Sequence, residues 1–215
     1  AGVGVSNMKI TLNDRFNPAL ATRPATFAKD YSGVVSPHVA INKVFNKEFS
    51  VYASYSKGYK APTSSYFYIA TPGATGIGLI NESLKPEIGN QFEAGTKGQS
   101  LNDKLTYELT YFNAVFSNKM TTIPVANSAG TATLYSYVVN GGKQLHNGVE
   151  ALLKYTVYRS DKGFFTSIRP FANLTYSDFK YGDNFVFRKG FAAGDTLNYS
   201  SKAVAGVAKI VANIG

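Results

Sequence analysis

The chain has 215 residues, a formal charge of +9 and no cysteine, which excludes disulfide scaffolds, cysteine zinc sites and thiol catalysis. Only 16% of its residues are charged while 14% are aromatic, and this mixture favours β-structure with one polar face in water. Its basic residues are scattered and its two histidines, His38 and His146, are far apart, which argues against a nucleic-acid arm and a histidine metal site.

Eight segments along the chain have the composition of β-strands. We predict them at about 2–12, 36–45, 49–57, 90–97, 104–117, 135–157, 164–177 and 200–211. The polar sequences FNKEF, GQSLNDK and YRSDKG predict short turns after the second, fourth and sixth segments. The other connections are long, at 13–35, 58–89, 118–134 and 178–199. Short and long connections therefore lie at opposite ends of an antiparallel meander, as in outer-membrane barrels with short periplasmic turns and long extracellular loops.

Apolar and polar residues alternate along most of these segments, which indicates strands with one apolar and one polar face. In 144–157, Leu145, Val149 and Leu153 alternate with polar residues, and Leu152 breaks the pattern. A soluble antiparallel sheet alternates in the same way. Several segments have ten or more residues, however, and tyrosine and phenylalanine gather near their ends. Both features favour strands that cross a membrane, since tilted crossing needs that length and aromatic rings suit the two interfaces.

The first and last segments fit this pattern less well. In the first, the apolar face changes from Val3 and Val5 to Met8 and Ile10, which predicts a β-bulge near 6–7. In the last, SKAVAGVAKIV, both faces are apolar and the pattern assigns neither of them. The chain has no apolar run long enough for a transmembrane helix and shows no signal peptide at its start, so we expect a piece of a larger protein.

Four stretches of the chain resemble the barrel of TonB-dependent outer-membrane receptors, most closely the ferric-siderophore branch. They are, in order, SPHVAINKVFNKEFSVYASYSKGYKAPT, LKPEIGNQFEAGTKG, LTYELTYFNAVFSNKM and YVVNGGKQLHNGVEALLKY. The markers within them are Tyr52, Tyr55, Ser56, Gly58, Tyr59, Ala61, Pro62, Thr63, Leu84, Pro86, Glu87, Glu93, Gly95, Thr96, Lys97, Asn140, Gly141, Gly148, Val149 and Glu150. No single marker is specific, but their order and spacing together are, over about two thirds of the chain.

The resemblance implies an all-β fold: an antiparallel transmembrane β-barrel segment that supplies about eight strands of a 22-stranded barrel. It implies that residues 1–215 are part of the receptor barrel domain, without the plug domain that closes such a barrel or the segment that couples it to TonB. The implied location is the outer membrane of a Gram-negative bacterium. The implied partners are the lipid bilayer, the receptor's own plug, the TonB complex and the cargo.

Six charged residues fall on the inferred polar face, which we expect to line the lumen because a cation facing lipid costs about 2–4 kcal/mol at the midplane. They are Glu93, Lys97, Glu108, Glu150, Lys154 and Arg169. They either form a cross-strand ladder of opposite charges or contact the plug and hold it closed. In the family that the sequence resembles, the two interpretations overlap.

The long connections supply the candidate ligand surface, because a siderophore site needs aromatic and cationic groups above the plug to hold an anionic iron chelate. The candidates are Tyr59, Lys60, Tyr66, Tyr68, Tyr135, Tyr137 and Arg188. The alternative for each is an interface aromatic or loop packing. The connection at 58–89, which has no helical period, is the longest of these surfaces.

We expect no catalysis, since the chain has no Ser-His-Asp order, H-E-x-x-H motif or phosphate-binding loop. The resemblance implies an energised importer whose cargo is a ferric siderophore or similar chelate, with no cofactor of its own. Two alternatives remain open. One is a non-transporting outer-membrane binding or assembly scaffold that keeps the barrel, and the other is a family member that imports a glycan, a peptide or cobalamin.

Overall fold

The computed structural model describes residues 1–15, 19, 24–69, 78–127, 129–183, 185–188 and 196–215. Within these ranges it contains one 3-10 turn, Ser64–Tyr66, and sixteen β-strands. The strands are β1 (Gly2–Asn13), β2 (Thr26–Val44), β3 (Ser50–Lys60), β4 (Tyr68–Ile69), β5 (Leu79–Ile80), β6 (Glu87–Ser100), β7 (Leu105–Ser117), β8 (Met120–Ala126), β9 (Thr133–Asn140), β10 (Gln144–Tyr155), β11 (Tyr158–Arg159), β12 (Ser167–Ile168), β13 (Phe171–Tyr181), β14 (Val186–Arg188), β15 (Thr196–Asn198) and β16 (Ile210–Ile214). No helix in the described ranges is long and apolar enough to cross a membrane.

Eight of the strands form one antiparallel sheet. Its spatial order is β1-β2-β3-β6-β7-β10-β13-β16, so neighbours in the sheet are successive long strands of the chain. The remaining strands form four small hairpins within the connections: β4–β5, β8–β9, β11–β12 and β14–β15. The prediction of an eight-stranded antiparallel meander is therefore confirmed.

The two ends of the sheet differ in the length of their connections. At one end, which we call the turn end, the connections are 45–49, 101–104 and 156–170. At the other, which we call the loop end, the connections are 14–25, 61–86, 118–143 and 182–209. The predicted separation of short and long connections is confirmed, although the third turn is longer than YRSDKG and contains β11 and β12.

Four predicted segments have the wrong bounds. The second begins at Thr26, because the first half of β2 pairs with the far half of β1. The segment predicted at 135–157 is two strands, β9 and β10, interrupted near Gly142, whose φ of 124° is one that L-residues rarely adopt. The segment predicted at 164–177 is β13 over Phe171–Tyr181, preceded by β12, which belongs to a separate small hairpin. The segment predicted at 200–211 is a strand only over Ile210–Ile214.

The register defines two faces of the sheet, because directly opposed residues in antiparallel strands lie on the same face. One row across six strands runs Ser50, Lys97, Glu108, Leu152, Asn173 and Asn213. We call this side the polar face, and it places Leu152 among polar neighbours, as the alternation predicted. The opposite side, the apolar face, exposes large side chains such as Ile41, Leu109 and Leu174.

A β-bulge lies opposite the position that the sequence predicted, with its extra residue on β2 at 32–33 rather than on β1. The register of β1 and β2 shifts between Ser6 and Met8. The backbone N–H of Gly33, at a φ of 67°, donates to Asn7 Oδ1 at 2.8 Å. Because β1 itself has no extra residue, Met8 and Ile10 keep the parity of Ser6 rather than that of Val5.

A buried apolar cluster lies at the loop end, formed by Leu12, Phe67 and Leu84. Half-buried residues from several segments pack against it: Ile10, Phe27, Tyr31, Tyr66, Tyr68, Ile80 and Val138. The hydroxyl of Tyr31 donates to the Leu84 carbonyl at 2.6 Å. The 61–86 and 118–143 connections therefore pack together on the ends of β1 and β2, which fixes the position of the side chains that they carry.

Candidate functional site

Five of the six charged residues predicted to line a lumen lie on the polar face: Glu93, Lys97, Glu108, Glu150 and Lys154. Lys97 on β6 is directly opposite Glu108 on β7, and Glu150 on β10 is opposite Thr110. Arg169 lies outside the sheet, in the 156–170 turn, where its Nε donates to Thr156 Oγ1 at 3.1 Å. The sheet thus places the three carboxylates on one face, with Glu108 and Glu150 as diagonal neighbours and Glu93 opposite Phe112, and Arg169 lies outside it.

The carboxylates are not neutralised by a ladder of ion pairs. In the described part of the chain, the ion pairs within 4.0 Å include none of Glu93, Glu108 and Glu150. Glu93 accepts a hydrogen bond from Gln91 Nε2 at 2.5 Å, and Glu108 accepts one from the Tyr52 hydroxyl at 3.3 Å. These three carboxylates, which we call the acidic group, therefore keep lone pairs for a further partner.

Tyr52 lies at the centre of this surface. Its hydroxyl is 2.5 Å from Thr110 Oγ1, and the Lys97 ammonium lies 5.4 Å from the centroid of its ring. The ring crosses Gly95, where a Cβ would meet it at 2.6 Å. Beside it opens a cavity of about 390 Å³, lined by the polar residues Glu108, Thr110, Glu150, Asn173, Thr175 and Asn213. Such a surface can accept hydrogen bonds from a cationic partner.

Glu87 connects the sheet to the loop end. Its carboxylate is buried and lies 3.4 Å from Lys119 Nζ and 4.0 Å from Lys60 Nζ. It also accepts the backbone N–H of Met120, the first residue of β8, at 2.7 Å. A buried charge needs such partners to offset its desolvation, so Glu87 orients the start of the β8–β9 hairpin.

Asn140 holds the same end of the hairpin through its other strand, since it is directly opposite Met120. Its Oδ1 accepts the Lys85 N–H at 2.8 Å, and its Nδ2 donates to the carbonyls of Lys85 and Asn118, each at 2.9 Å. Asn81 Nδ2 donates to the Val138 carbonyl at 2.7 Å. The 61–86 connection and the β8–β9 hairpin are therefore joined by side-chain amides as well as by apolar packing.

Four rings on the polar face near the loop end form what we call the aromatic patch: Phe112, Phe116, His146 and Phe179. The imidazole of His146 stacks on Phe179 with 4.0 Å between centroids, and Phe116 lies 4.8 Å from the imidazole. Phe112 meets Phe179 edge-on at 6.2 Å. Lys119 Nζ lies 5.4 Å from the Phe116 centroid. Stacked rings beside a cation can hold a flat conjugated anion.

The structure disperses the residues predicted to bind a ligand. Tyr59 is opposite Ile88 on the apolar face, with Lys57 Nζ 5.1 Å from its ring centroid, whereas Lys60 pairs with Glu87. Tyr66 and Tyr68 pack on the buried cluster.

The remaining three predicted ligand residues lie in the small hairpins of the loop end. Tyr135 and Tyr137 lie side by side on β9, with 6.3 Å between ring centroids. Arg188 ends β14, opposite Thr196, and its side chain lies outside the described part. The seven residues therefore do not form one site, and their role in binding stays a prediction.

A comparison with protein families decides what this sheet is part of. The model of the family described as TonB dependent receptor-like, beta-barrel, matches residues 1–215. The chain belongs to this family. Because these receptors have short periplasmic turns and long extracellular loops, the turn end is periplasmic and the loop end extracellular. In barrels of this kind the apolar side of the wall contacts lipid and the polar side lines the lumen.

Two curated receptors are similar to part of this receptor chain. The ferripyoverdine receptor of Pseudomonas aeruginosa is 30% identical over 120 residues, which is 56% of this chain and 14% of that receptor. The ferric-pyoverdine 358 receptor of Pseudomonas putida is 29% identical over 103 residues, which is 46% of this chain and 11% of that receptor. The chain therefore spans only a small part of the length of these relatives.

A solved receptor structure has the same fold. It is a double mutant of the hemophore receptor HasR of Serratia marcescens, in complex with its hemophore HasA and heme. The superposition has a TM-score of 0.50 at 17% identity and covers 98% of this chain and 34% of HasR. The likeness shows the fold alone, and it agrees with an open sheet whose edges are β1 and β16.

Sequence reasoning missed two parts of the receptor wall that the structure brings together. Glu87 was noted as a family marker, but its contacts with Lys60 and Lys119 depend on the path of a long loop. The aromatic patch has a local signal, because Phe112 and Phe116 continue the polar parity of Glu108 and Thr110. The sequence pattern assigns rings near strand ends to the membrane interfaces and does not single out these two.

Proposed function

We propose that this chain forms part of the wall and extracellular loops of an outer-membrane transporter that binds and imports a ferric siderophore or a similar large chelate. The observation that carries the proposal is the aromatic patch with Lys119 beside it, on the lumen face of a TonB-dependent receptor barrel. A ferric siderophore presents flat conjugated groups and negative charge, which rings and an ammonium can hold together. The names of the two Pseudomonas receptors support this cargo class.

The acidic group has a second role in the proposal. Glu108 and Glu150 face the lumen below the aromatic patch and Glu93 lies opposite Phe112, and the three charges are not paired within the described wall. We propose that they accept hydrogen bonds from cationic side chains of the receptor's plug and hold it closed until TonB pulls on it. Charge-assisted bonds of this kind are roughly twice as strong as neutral ones. No step of this proposal is catalytic, and no resident cofactor is needed.

The test uses the full-length receptor that contains this chain. The purified receptor is titrated with ferric pyoverdine, ferric citrate, heme and cobalamin, and binding is measured by calorimetry. A strain that lacks the receptor is grown under iron limitation with each source. The proposal expects saturable binding of a ferric siderophore and a growth defect that the receptor gene restores. If no chelate binds and the deletion leaves iron-limited growth unchanged, the iron assignment is wrong.

The other candidates are distinguished by the same experiment. Binding of cobalamin without iron-chelate binding would reassign the cargo while keeping the importer, and added titrations with a glycan and a peptide test those two cargoes in the same way. Binding that persists without any uptake into cells would favour a scaffold that keeps the receptor barrel but does not transport.

A further inference from the structure

The periplasmic turn at 156–170, which we call the long turn, extends further from the wall than the other two turns. The row of opposed residues that runs from Val44 to Asn173 provides a common reference. Counted from that row, the residues that lead into and out of the first turn are 45–49, and those that lead into and out of the second are 98–107. The third occupies 153–172 and forms the extra hairpin β11–β12. The extra length is ordered by pairing rather than being an irregular loop.

The long turn exposes apolar side chains that a turn in water would avoid. Phe164 is 94% exposed and Phe165 is 64% exposed, and their rings contact each other edge-on with 5.0 Å between centroids. Tyr158 and Ile168 are directly opposed on one face of the hairpin and are also exposed. Along the chain, Ile168 has the same parity as Leu174 on the lipid-facing side of β13. The apolar face of the wall therefore continues onto the long turn.

Cationic groups accompany these apolar residues. Arg159 and Arg169 line a polar cavity of about 630 Å³, together with Ser160, Asp161, Thr166 and Ser167. Lys162 follows at the tip, so the turn carries more positive than negative charge. Two guanidinium groups and three hydroxyl groups outnumber the single carboxylate of Asp161 around this cavity, which suits an anion with several oxygen acceptors, of which a phosphate diester is the lipid example.

A β-bulge at the base of the β11–β12 hairpin allows the hairpin to bend towards the membrane surface. The last pair of β10 and β13 is Lys154 with Phe171, and the first pair of β11 and β12 is Tyr158 with Ile168. Between these two pairs, the segment that leaves β10 contains one residue more than the segment that enters β13. Such a bulge increases the local twist and re-aims the strands that follow. The Thr156 N–H donates to the Lys104 carbonyl at 2.7 Å, which fixes the base of the turn to its neighbour.

We infer that the long turn binds anionic phospholipid of the periplasmic leaflet. Phe164, Phe165 and Ile168 enter the boundary between headgroups and acyl chains, and Arg159 and Arg169 hold the lipid phosphate in the polar cavity. Exposed aromatic rings beside arginine and lysine are the combination that anchors proteins at an anionic membrane interface. The continuity of the lipid-facing wall with the turn favours a lipid over a protein partner. This inference rests on the membrane barrel in the proposed function.

The first test measures whether the tip touches lipid. Because the chain has no tryptophan, Phe164→Trp and, on the lipid-facing wall, Ile41→Trp add one reporter each to the full-length receptor. Each variant is reconstituted in phosphatidylglycerol vesicles with and without brominated acyl chains, and the fluorescence is compared with that of the parent receptor. We expect the added signal of both variants to fall about twofold in brominated lipid, as for side chains at acyl depth.

The outcomes separate this inference from the proposed function. If Ile41→Trp is quenched and Phe164→Trp is not, the receptor spans the bilayer but the long turn does not enter it, and the inference is overturned. If neither reporter is quenched, the membrane wall itself is wrong and both proposals fail. Capture of the unquenched tip by a periplasmic protein would identify the turn as a protein-docking site instead.

The second test measures the headgroup contact. The full-length receptor is released from vesicles of mixed phosphatidylglycerol and phosphatidylcholine, and the retained lipids are counted by native mass spectrometry. We expect Arg159→Gln to lower the preference for phosphatidylglycerol about fivefold. Lys104→Gln is the matched control, because it removes one positive charge from the adjacent turn. An equal fall in both variants, or none in Arg159→Gln, would contradict a specific phosphate contact.

Discussion

The imidazole of His146 lies parallel to the ring of Phe179, with 3° between their planes and 4.0 Å between their centroids. His146 is on β10 and Phe179 on β13, and the two are directly opposed in the register. Phe116 adds a third ring from β7, tilted by 56° against the imidazole, so three strands of the wall share one aromatic surface. Because each ring is placed by a paired strand, the surface needs no loop rearrangement to form.

We expect His146→Ala to weaken binding of the ferric siderophore by about tenfold, since it removes the middle ring of the stack. The matched control is His38→Ala. His38 lies on the same face of the sheet and in the same row of opposed residues, which runs through Ser56, Gln91 and Ala114. It is four strands away from His146. Calorimetric titration of the full-length receptor measures both. Equal losses in the two variants would mean that the aromatic patch is not the binding surface.

The glycine beneath the Phe112 ring predicts how a substitution there changes the stability of the barrel. Gly148 allows Phe112 to lie across β10, and a Cβ at that position would collide with the Phe112 ring and with the Tyr176 carbonyl. We expect Gly148→Ala to lower the free energy of unfolding by about 1–3 kcal/mol, the usual cost of forcing atoms into a packed site. Gly58→Ala is the control, because nothing lies within 4 Å of its added Cβ.

Heat or urea unfolding of the full-length receptor in detergent, followed by the shift from folded to unfolded gel mobility, measures the difference. A Gly148→Ala variant as stable as Gly58→Ala would show that Phe112 can leave its place on the wall without cost. In that case the aromatic patch would also be less rigid than the geometry indicates.

The sequence predicted the wall better than the loops, for a physical reason. Alternation and bulges are local, so the shift at Ser6 and Asn7 could be located from the residues themselves. The first half of β2 was missed because Phe27 and Tyr31 are fixed by the buried cluster, through contacts with Phe67 and Leu84 far along the chain. Pairing of that kind leaves no periodic signal in either segment alone.

The candidate site shows the same limit. The polar face could be assigned from parity, which placed Glu93, Glu108 and Glu150 together. Whether these carboxylates contact Lys97 or Tyr52 depends on the positions of the side chains, which the alternation of residues along a strand does not determine. The ligand candidates were chosen as aromatic residues in loops, but residues such as Tyr66 pack inward, because a long loop also needs apolar residues for its own core.

Glu87→Gln tests how the extracellular hairpin is held. The amide can still accept the Met120 N–H, but it loses the charge that attracts Lys119 and Lys60. Because a hydrogen bond to a charged group exceeds a neutral one by roughly 1 kcal/mol, we expect amide hydrogen exchange at the start of the β8–β9 hairpin to accelerate about fivefold. Glu82→Gln is the control, since Glu82 is exposed in the same connection.

Hydrogen exchange of the full-length receptor, read by mass spectrometry of peptides from 118–143, makes the comparison. A uniform change across the barrel would report general destabilisation rather than release of the hairpin. No change in the 118–143 peptides would show that Asn140 and apolar packing hold the hairpin without Glu87.

If the acidic group holds the plug closed, removing its charges should make the plug amides exchange their hydrogens faster. In the double variant Glu108→Gln and Glu150→Gln, the lumen keeps its shape and hydrogen-bonding capacity but loses two charges. We expect the plug of the full-length receptor to exchange its amide hydrogens about tenfold faster, because charge-assisted bonds to cationic plug side chains become neutral ones. Glu48→Gln, at the exposed first periplasmic turn, is the matched loss of charge outside the lumen. If the double variant leaves plug exchange unchanged while the barrel peptides remain protected, the carboxylates serve the wall alone and the plug is held by other contacts.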